Sequence, residues 1–219
     1  IFIAFVLDFF IGYPKWMPHP VKFIEWLGKN IENIMRNIIN ASSAEKVNAL
    51  GEDVVRNTKR LYRNERVAGT AFIIIMAGVV VTVVAGILKL SLLVHPILFH
   101  VINVYFTYSA FALKTVATEG YKVFDALKER DIFKARNMLA AAVGRKTENL
   151  DEKEIIKGSV ESMAESMADR VISPIFYAFL ASFFGLGATV VYVYKTINIL
   201  DQVVGYKNDT YKNFGWATA

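Results

Sequence analysis

The chain has no cysteine, so a disulfide framework, thiolate metal ligands and a cysteine nucleophile are all excluded. Histidine is scarce, at three residues, and none sits in a His-Glu-x-x-His arrangement. There is no Walker-type phosphate loop, no Rossmann glycine pattern and no nucleophile elbow. If ATP is used, its site is not a standard one. Charged residues make up only 21% of the chain, and the net charge of +5 gives no case for nucleic acid. The basic residues flank apolar runs, where orientation in a membrane accounts for them. Only five prolines occur, yet three of them fall between Pro14 and Pro20, where no helix can continue.

Apolar residues are abundant, at 54% of the chain, above the usual globular share. They are also clustered. Ala68–Leu88 and Leu90–Leu113 carry no Asp, Glu, Lys or Arg, and uncharged runs of that length are candidate membrane spans. The pattern predicts an all-α, polytopic membrane protein with a cytoplasmic helical cap, organised as one domain over residues 1–219. Membrane helices are expected at about 1–12, 68–88 and 92–113, with cytoplasmic helices at about 21–66 and 114–170. A short break is expected at Ala41-Ser42-Ser43 and a tight turn at Lys89-Leu90-Ser91. Gly185-Leu186-Gly187 splits the run 171–200 into two pieces too short to cross alone, which predicts a broken or re-entrant hairpin. Lys15–Arg66 holds ten Lys/Arg and Lys114–Arg170 holds eleven, against Lys89 alone between the two clear spans. Both rich segments are therefore expected on the cytoplasmic side. The apolar run begins at Ile1 with no basic flank, so earlier chain is expected and a signal peptide is not.

Three groups of residues could carry chemistry. Glu161, Glu165 and Asp169 recur every four residues, which places them on nearly one helical face. Their mutual repulsion and the small residues beside them suit Mg²⁺, whose sites use one or two carboxylates plus substrate phosphates; a solvated acidic helix is the plain alternative. Asp8 lies within an apolar run, where an acid is functional or is paired with a basic partner. His19 is held between two prolines and is either structural or chemical. In the tail, Asn198, Asp201, Tyr206, Lys207 and Asn208 are crowded together, with Tyr211, Phe214 and Trp216 following. A membrane-interface belt explains the aromatics but not the Asn198/Asp201 pair.

Several separated motifs together resemble the CobD/CbiB family, the membrane-bound adenosylcobinamide-phosphate synthases of cobalamin biosynthesis. Asp8…Gly12-Tyr13-Pro14…Pro18-His19-Pro20-Val21 is similar to the family's Asp…Gly-Asp-Pro-x-x-x-Pro-His-Pro-Val. Val143-Gly144-Arg145-Lys146-Thr147 is similar to Val-Gly-Arg-Asp-Thr. Glu161-Ser162…Glu165-Ser166…Asp169-Arg170…Pro174 is similar to Glu-Ser-x-x-Glu-Asn-x-x-Asp-Gly-x-x-x-Pro. Tyr194-Lys195…Asn198-Ile199-Leu200-Asp201…Gly205-Tyr206-Lys207-Asn208…Tyr211…Phe214-Gly215 is similar to the family's C-terminal motif. The likeness covers nearly the whole chain, in the family's order. Tyr13, Lys146, Ser166, Arg170, Lys195 and Ile199 depart from the pattern, standing for Asp, Asp, Asn, Gly, Arg and Thr respectively.

The resemblance implies an acid–amine ligase that joins a corrin-ring propionate of adenosylcobyric acid to aminopropanol, usually as its phosphate. ATP would be a cosubstrate and Mg²⁺ its cofactor. On that reading Glu161, Glu165 and Asp169 hold the metal. His19 or Asp201 takes the proton from the attacking amine, and Asn198 joins them in the catalytic set. Asp8, Arg145, Lys195, Tyr206, Lys207 and Asn208 bind substrate or phosphate, the basic residues through charge. The protein would sit in the cell membrane with its site facing the cytoplasm, as a homo-oligomer or in a complex with late cobalamin-pathway enzymes. Family members usually continue beyond this tail, so a further C-terminal segment is implied. The departures support a second reading, a non-catalytic corrinoid-binding scaffold. A membrane signalling protein of the AmpE type is a third, opposed by the intact His-Pro-Val and Gly-Tyr-Lys-Asn motifs.

Overall fold

The computed structural model describes residues 1–14, 20–49, 54–143, 147–205 and 211–218, with side chains described outside 40–62. Every regular element among the described residues is helical. In chain order they are α1 (Phe2–Ile11), α2 (Pro20–Ala49), α3 (Val54–Val94), α4 (Pro96–Ala110), α5 (Leu113–Lys128), α6 (Ile132–Val143) and α7 (Glu152–Met167). A π-helical turn (Ala168–Ile172), α8 (Ser173–Ser182), α9 (Gly187–Val204) and a 3₁₀ turn (Phe214–Ala217) follow. The chain divides into two compact units, Ile1–Pro18 with Val101–Ala188 and His19–His100 with Thr189–Ala219. Two stretches, Arg63–Val94 and Pro96–Lys128, are long and apolar enough to cross a membrane, which takes about 20 residues. Phe2–Ile11 is a shorter apolar helix.

Two expected breaks do not form where expected, and one expected span is interrupted. The serines at 42 and 43 do not interrupt α2, which runs unbroken from Pro20 to Ala49. Serine lowers helix propensity only by tenths of a kcal/mol, roughly 0.5, and no proline follows Pro20 there. Nor does the chain turn at Lys89–Ser91. The Ser91 hydroxyl donates to the Leu88 carbonyl at 2.7 Å inside a continuing helix, and α3 ends only at Val94. Pro96 forces the break, since it has no N–H and disfavours helical geometry in His95. The His95 ring Nδ1 then accepts the free Ile97 N–H at 3.1 Å, which caps α4. The span expected at 92–113 is likewise cut at Phe111–Ala112, between α4 and α5.

In the first unit, α5, α6 and α7 form a three-helix core. Val123, Ala126, Ala135, Leu139 and Ile155 are buried together there, with Leu127, Ile132 and Leu150 packed around them. Full burial of a side chain like Leu139 contributes about 1.5–3 kcal/mol. α5 closes in a Schellman arrangement. Asp131 N–H donates to Ala126 O and Arg130 N–H to Leu127 O, both at 3.0 Å, with Arg130 in the left-handed region at φ 58°. Beyond it Lys134 Nζ donates to Glu129 at 2.7 Å, and this carboxylate holds the lysine's proton above its ordinary range. Asp151 starts α7 as expected, through a reciprocal cap: its Oδ1 accepts Glu154 N–H at 2.7 Å, and Glu154 Oε2 accepts Asp151 N–H at 2.9 Å. The run 171–200 does break at its glycines, between α8 and α9, with Gly185 at φ 71°.

In the second unit, α2 packs on α3 around Gly28, where an added Cβ would meet Leu200 at 3.1 Å and Met76 and Phe72 just beyond. The tail docks on the same pair. Phe214 is buried against Phe72, ring centroids 5.5 Å apart. A Cβ on Gly69 would collide with the Phe214 carbonyl, and one on Gly215 with the Val204 carbonyl, so both glycines permit the docking.

Candidate functional site

The candidate residues fall in both units. The first holds Asp8, Glu161, Glu165 and Asp169; the second holds Lys195, Asn198 and Asp201. His19, Arg145, Tyr206, Lys207 and Asn208 lie outside the described residues.

In the first unit, α7 keeps an inward stripe at Ile155, Gly158, Ser162 and Ser166, spaced three or four residues apart. The next fully buried residue after Gly158 is Val171, within the π-helical turn, which inserts an extra residue. Glu161 and Glu165 sit one position off that stripe and are exposed, whereas Asp169, within the wide turn, is half-buried. Among the described residues no group of three acids or histidines converges on one ion position. Glu161, Glu165 and Asp169 therefore do not form a closed protein cage for an ion. Beside the acids, Ser159, Ser162 and Ser166 from α7 and Glu119 and Gly120 from α5 line a crevice of about 10 Å³, the size of one water.

Asp8 faces inward at 1% exposure. Its Oδ2 accepts the Leu113 N–H at 2.6 Å, at the first residue of α5, where Ala112 supplies no side-chain cap. A carboxylate at a helix N-terminus satisfies an orphan donor and meets the positive end of the helix dipole. Lys114 completes the exchange, since its ammonium donates to Phe10 O at 2.7 Å and Ile11 O at 3.1 Å, the last carbonyls of α1. The Tyr108 hydroxyl donates to Gly12 O. Asp8 thus has a structural task, and the sequence reading missed Lys114 as part of it.

Two of the motif departures have specific partners, and two more are placed by their surroundings. Tyr13 stacks on Tyr108 at 5.7 Å, and its hydroxyl lies 3.5 Å from that of Tyr105. Arg170 pairs with Glu119 at 3.3 Å. Ile199 is buried, as an isoleucine prefers. Ser166 lines the small crevice.

In the second unit, Lys195 is buried at 8% exposure on α9. Asn198 is half-buried and accepts from Gln202 at 3.3 Å, and Asp201 is exposed. One turn further on, a cleft of about 400 Å³ opens between α2 and the end of α9, lined by Lys29, Glu32, Asn33, Gln202, Val203 and Tyr211. Small-molecule sites occupy roughly 300–1,000 Å³. Glu32 is buried and bound to Arg36 Nε at 2.8 Å. The Arg36 guanidinium also lies 4.8 Å from the Tyr211 ring and 4.7 Å from the Phe214 ring, a favourable cation–π geometry. The Lys29 ammonium and the Asn33 amide have no polar partner among the described residues. Neither Lys29 nor Asn33 stands out in the sequence, because their significance comes from the tail folding back on α2.

Among the described residues, the all-helical architecture with two membrane-competent helices, a buried acid–helix cap and a polar cleft beside the C-terminal motif is that of a helical membrane protein. Comparison with known proteins supplies the family. A family model described as CobD/Cbib protein matches residues 1–219, and the chain belongs to that family. It is 34% identical over its full length to the cobalamin biosynthesis protein CobD of Clostridium perfringens, covering 61% of that protein. It is 36% identical over its full length to CobD of Clostridium tetani, covering 61%. It is 32% identical to CbiB of Salmonella typhi, over 99% of this chain and 60% of that protein. The chain thus spans about three fifths of the length of the curated relatives it matches. No solved structure is a significant match.

Proposed function

We propose that the protein is the amide-forming synthase of the cobalamin pathway, joining a corrinoid propionate to aminopropanol phosphate at the expense of ATP. The observation that carries this reading is the match to the family over residues 1–219, with Glu161, Glu165, Asp169, Asn198 and Asp201 retained in its motifs.

A carboxylate is a poor acyl donor. Its oxygen would attack the γ-phosphorus of ATP, releasing ADP and giving an acyl phosphate. The amine then attacks the carbonyl carbon, phosphate departs, and the amine loses a proton. Glu161 and Glu165 would hold Mg²⁺ with Asp169 alongside, and the ion would neutralise phosphate charge. Arg145, Lys195 and Lys207 would bind phosphate oxygens, with Tyr206 and Asn208 completing the substrate contacts; Asp8, buried as the cap of α5, is left out of that set. His19 or Asp201 would take the amine proton, with Asn198 orienting the acceptor. The cleft lined by Lys29, Asn33 and Gln202 would take the phosphorylated amine, with Lys29 as the charge for its phosphate. The site would face the cytoplasm.

The test is isotopic. With ¹⁸O in the corrinoid carboxylate, the reading predicts one ¹⁸O in the released phosphate. Product with unlabelled phosphate would remove the acyl phosphate step. The second reading, a non-catalytic corrinoid-binding scaffold, is favoured by Tyr13, Ser166, Arg170 and Ile199; it predicts tight corrinoid binding without turnover.

A further inference from the structure

α2 carries an apolar face that the described residues of its own unit leave exposed. Phe23 and Trp26 stack on each other at 5.8 Å, yet they remain 54% and 59% exposed. Ile34 and Ile38 are exposed as well. At 3.6 residues per turn these four positions fall within roughly 120° of arc. The inward side of the helix is separate and consists of Ile24, Gly28 and Glu32, all buried.

The register of α2 against α3 says what covers the face. Gly28 sits on Phe72 and Met76, four and eight residues into the charge-free run that starts at Ala68. At 1.5 Å per residue that is about 6 and 12 Å inward. Arg36, eight residues after Gly28, instead reaches Phe214, whose carbonyl faces Gly69 at the outer end of that run. α2 therefore runs antiparallel to α3. Its first turns lie level with Met76 or deeper, and its later turns lie outward. Along the same stretch α3 leaves Ile74, Ile75, Val81 and Val83 exposed as well.

We propose that the first two turns of α2 enter the bilayer beside α3, with Phe23 and Trp26 against lipid acyl chains. Ile34 and Ile38, on the same face but further out, lie above the acyl region. The inference rests on α3 crossing the membrane and not on the synthase reading.

The absence of cysteine makes the test direct, since an introduced thiol is the only one. Single variants F23C, W26C, I34C and I38C, with V83C on α3 as the reference, are spin-labelled in nanodiscs of phosphatidylcholine and phosphatidylglycerol. Collision with oxygen reports lipid, and collision with a water-soluble nickel chelate reports water. We expect oxygen to dominate at 83, 23 and 26 and nickel to dominate at 34 and 38. Nickel dominating at 23 and 26 overturns the proposal. Shielding of 23 and 26 from both reagents also overturns it, in favour of a second copy or a bound corrinoid. Loss of the oxygen preference at 83 removes the span itself, and the proposal with it. A second measurement needs no cysteine: acyl-chain-brominated lipid should quench the native protein, and Trp26→Phe should remove most of the acyl-depth component. Unchanged quenching in that variant counts against insertion.

Discussion

The carboxylate of Asp8 accepts the backbone N–H of Leu113 at 2.6 Å, tying α1 to the start of α5 across 105 residues. Lys114 returns the interaction by donating to the last carbonyls of α1. A hydrogen bond to a charged group contributes about 1.5–3 kcal/mol. Asp8→Ala should lower unfolding stability in detergent by about 2 kcal/mol. Asp8→Asn should cost about half as much, since a neutral acceptor is roughly half as strong. If both variants unfold like the parent, the cap contributes nothing.

Arg170 and Glu119 form a partly exposed pair at 3.3 Å. Pairs of that kind contribute about 0.2–1 kcal/mol. A double-mutant cycle with Arg170→Ala and Glu119→Ala should return a coupling in that range. Arg170→Gly, which restores the family residue, should leave corrinoid turnover within a factor of two, roughly 0.4 kcal/mol. A large gain in turnover would favour the scaffold reading.

Arg130 occupies the left-handed region, where a side chain costs roughly 1–2 kcal/mol relative to glycine. Arg130→Gly should raise stability by roughly 0.5–1 kcal/mol after the extra entropy of glycine in the unfolded chain is subtracted. The midpoint of chemical unfolding checks it, and a fall would contradict the cap geometry.

The carboxylates Glu161 and Glu165 are exposed and unable to form a closed cage. Replacing both with glutamine should raise the Mg²⁺ needed for half-maximal turnover by about tenfold, with little change in stability because both groups are solvated. Mg²⁺ dependence identical to the parent would take these residues out of the metal site.

Lys29 is the cationic lining residue of the cleft. Lys29→Met should raise KM for the phosphorylated amine by about tenfold, or 1.4 kcal/mol, and leave KM for ATP unchanged. An equal rise in both would place the lysine elsewhere in the reaction.

Much of the helical layout is legible in the sequence because periodicity and breakers are local. Ile132–Val143 matches the expected helix, Asp151 begins α7 where expected, and Gly185 breaks the last apolar run. The misplaced turn at Lys89 shows the limit of that reading. A single lysine within leucines looks like a loop in a hydropathy pattern, but only Pro96 removes a backbone donor. The site is less legible. Asp8 and Lys114 are 106 positions apart (114 − 8), and no periodicity relates them. The π-helical turn is equally hidden, and it rotates the apolar stripe away from the spacing that set Asp169 in line with Glu161 and Glu165. Lys29, Asn33 and Gln202 become neighbours only when the tail folds back on α2, which depends on Gly69 and Gly215 lacking side chains.

The most direct measurement is a reaction of the purified protein in detergent with adenosylcobyric acid, aminopropanol phosphate, ATP and Mg²⁺, followed by mass spectrometry of the corrinoid. The account predicts a mass gain equal to the amine minus one water, formed only when ATP and Mg²⁺ are both present. An unchanged corrinoid that stays tightly bound would contradict the synthase and leave the scaffold.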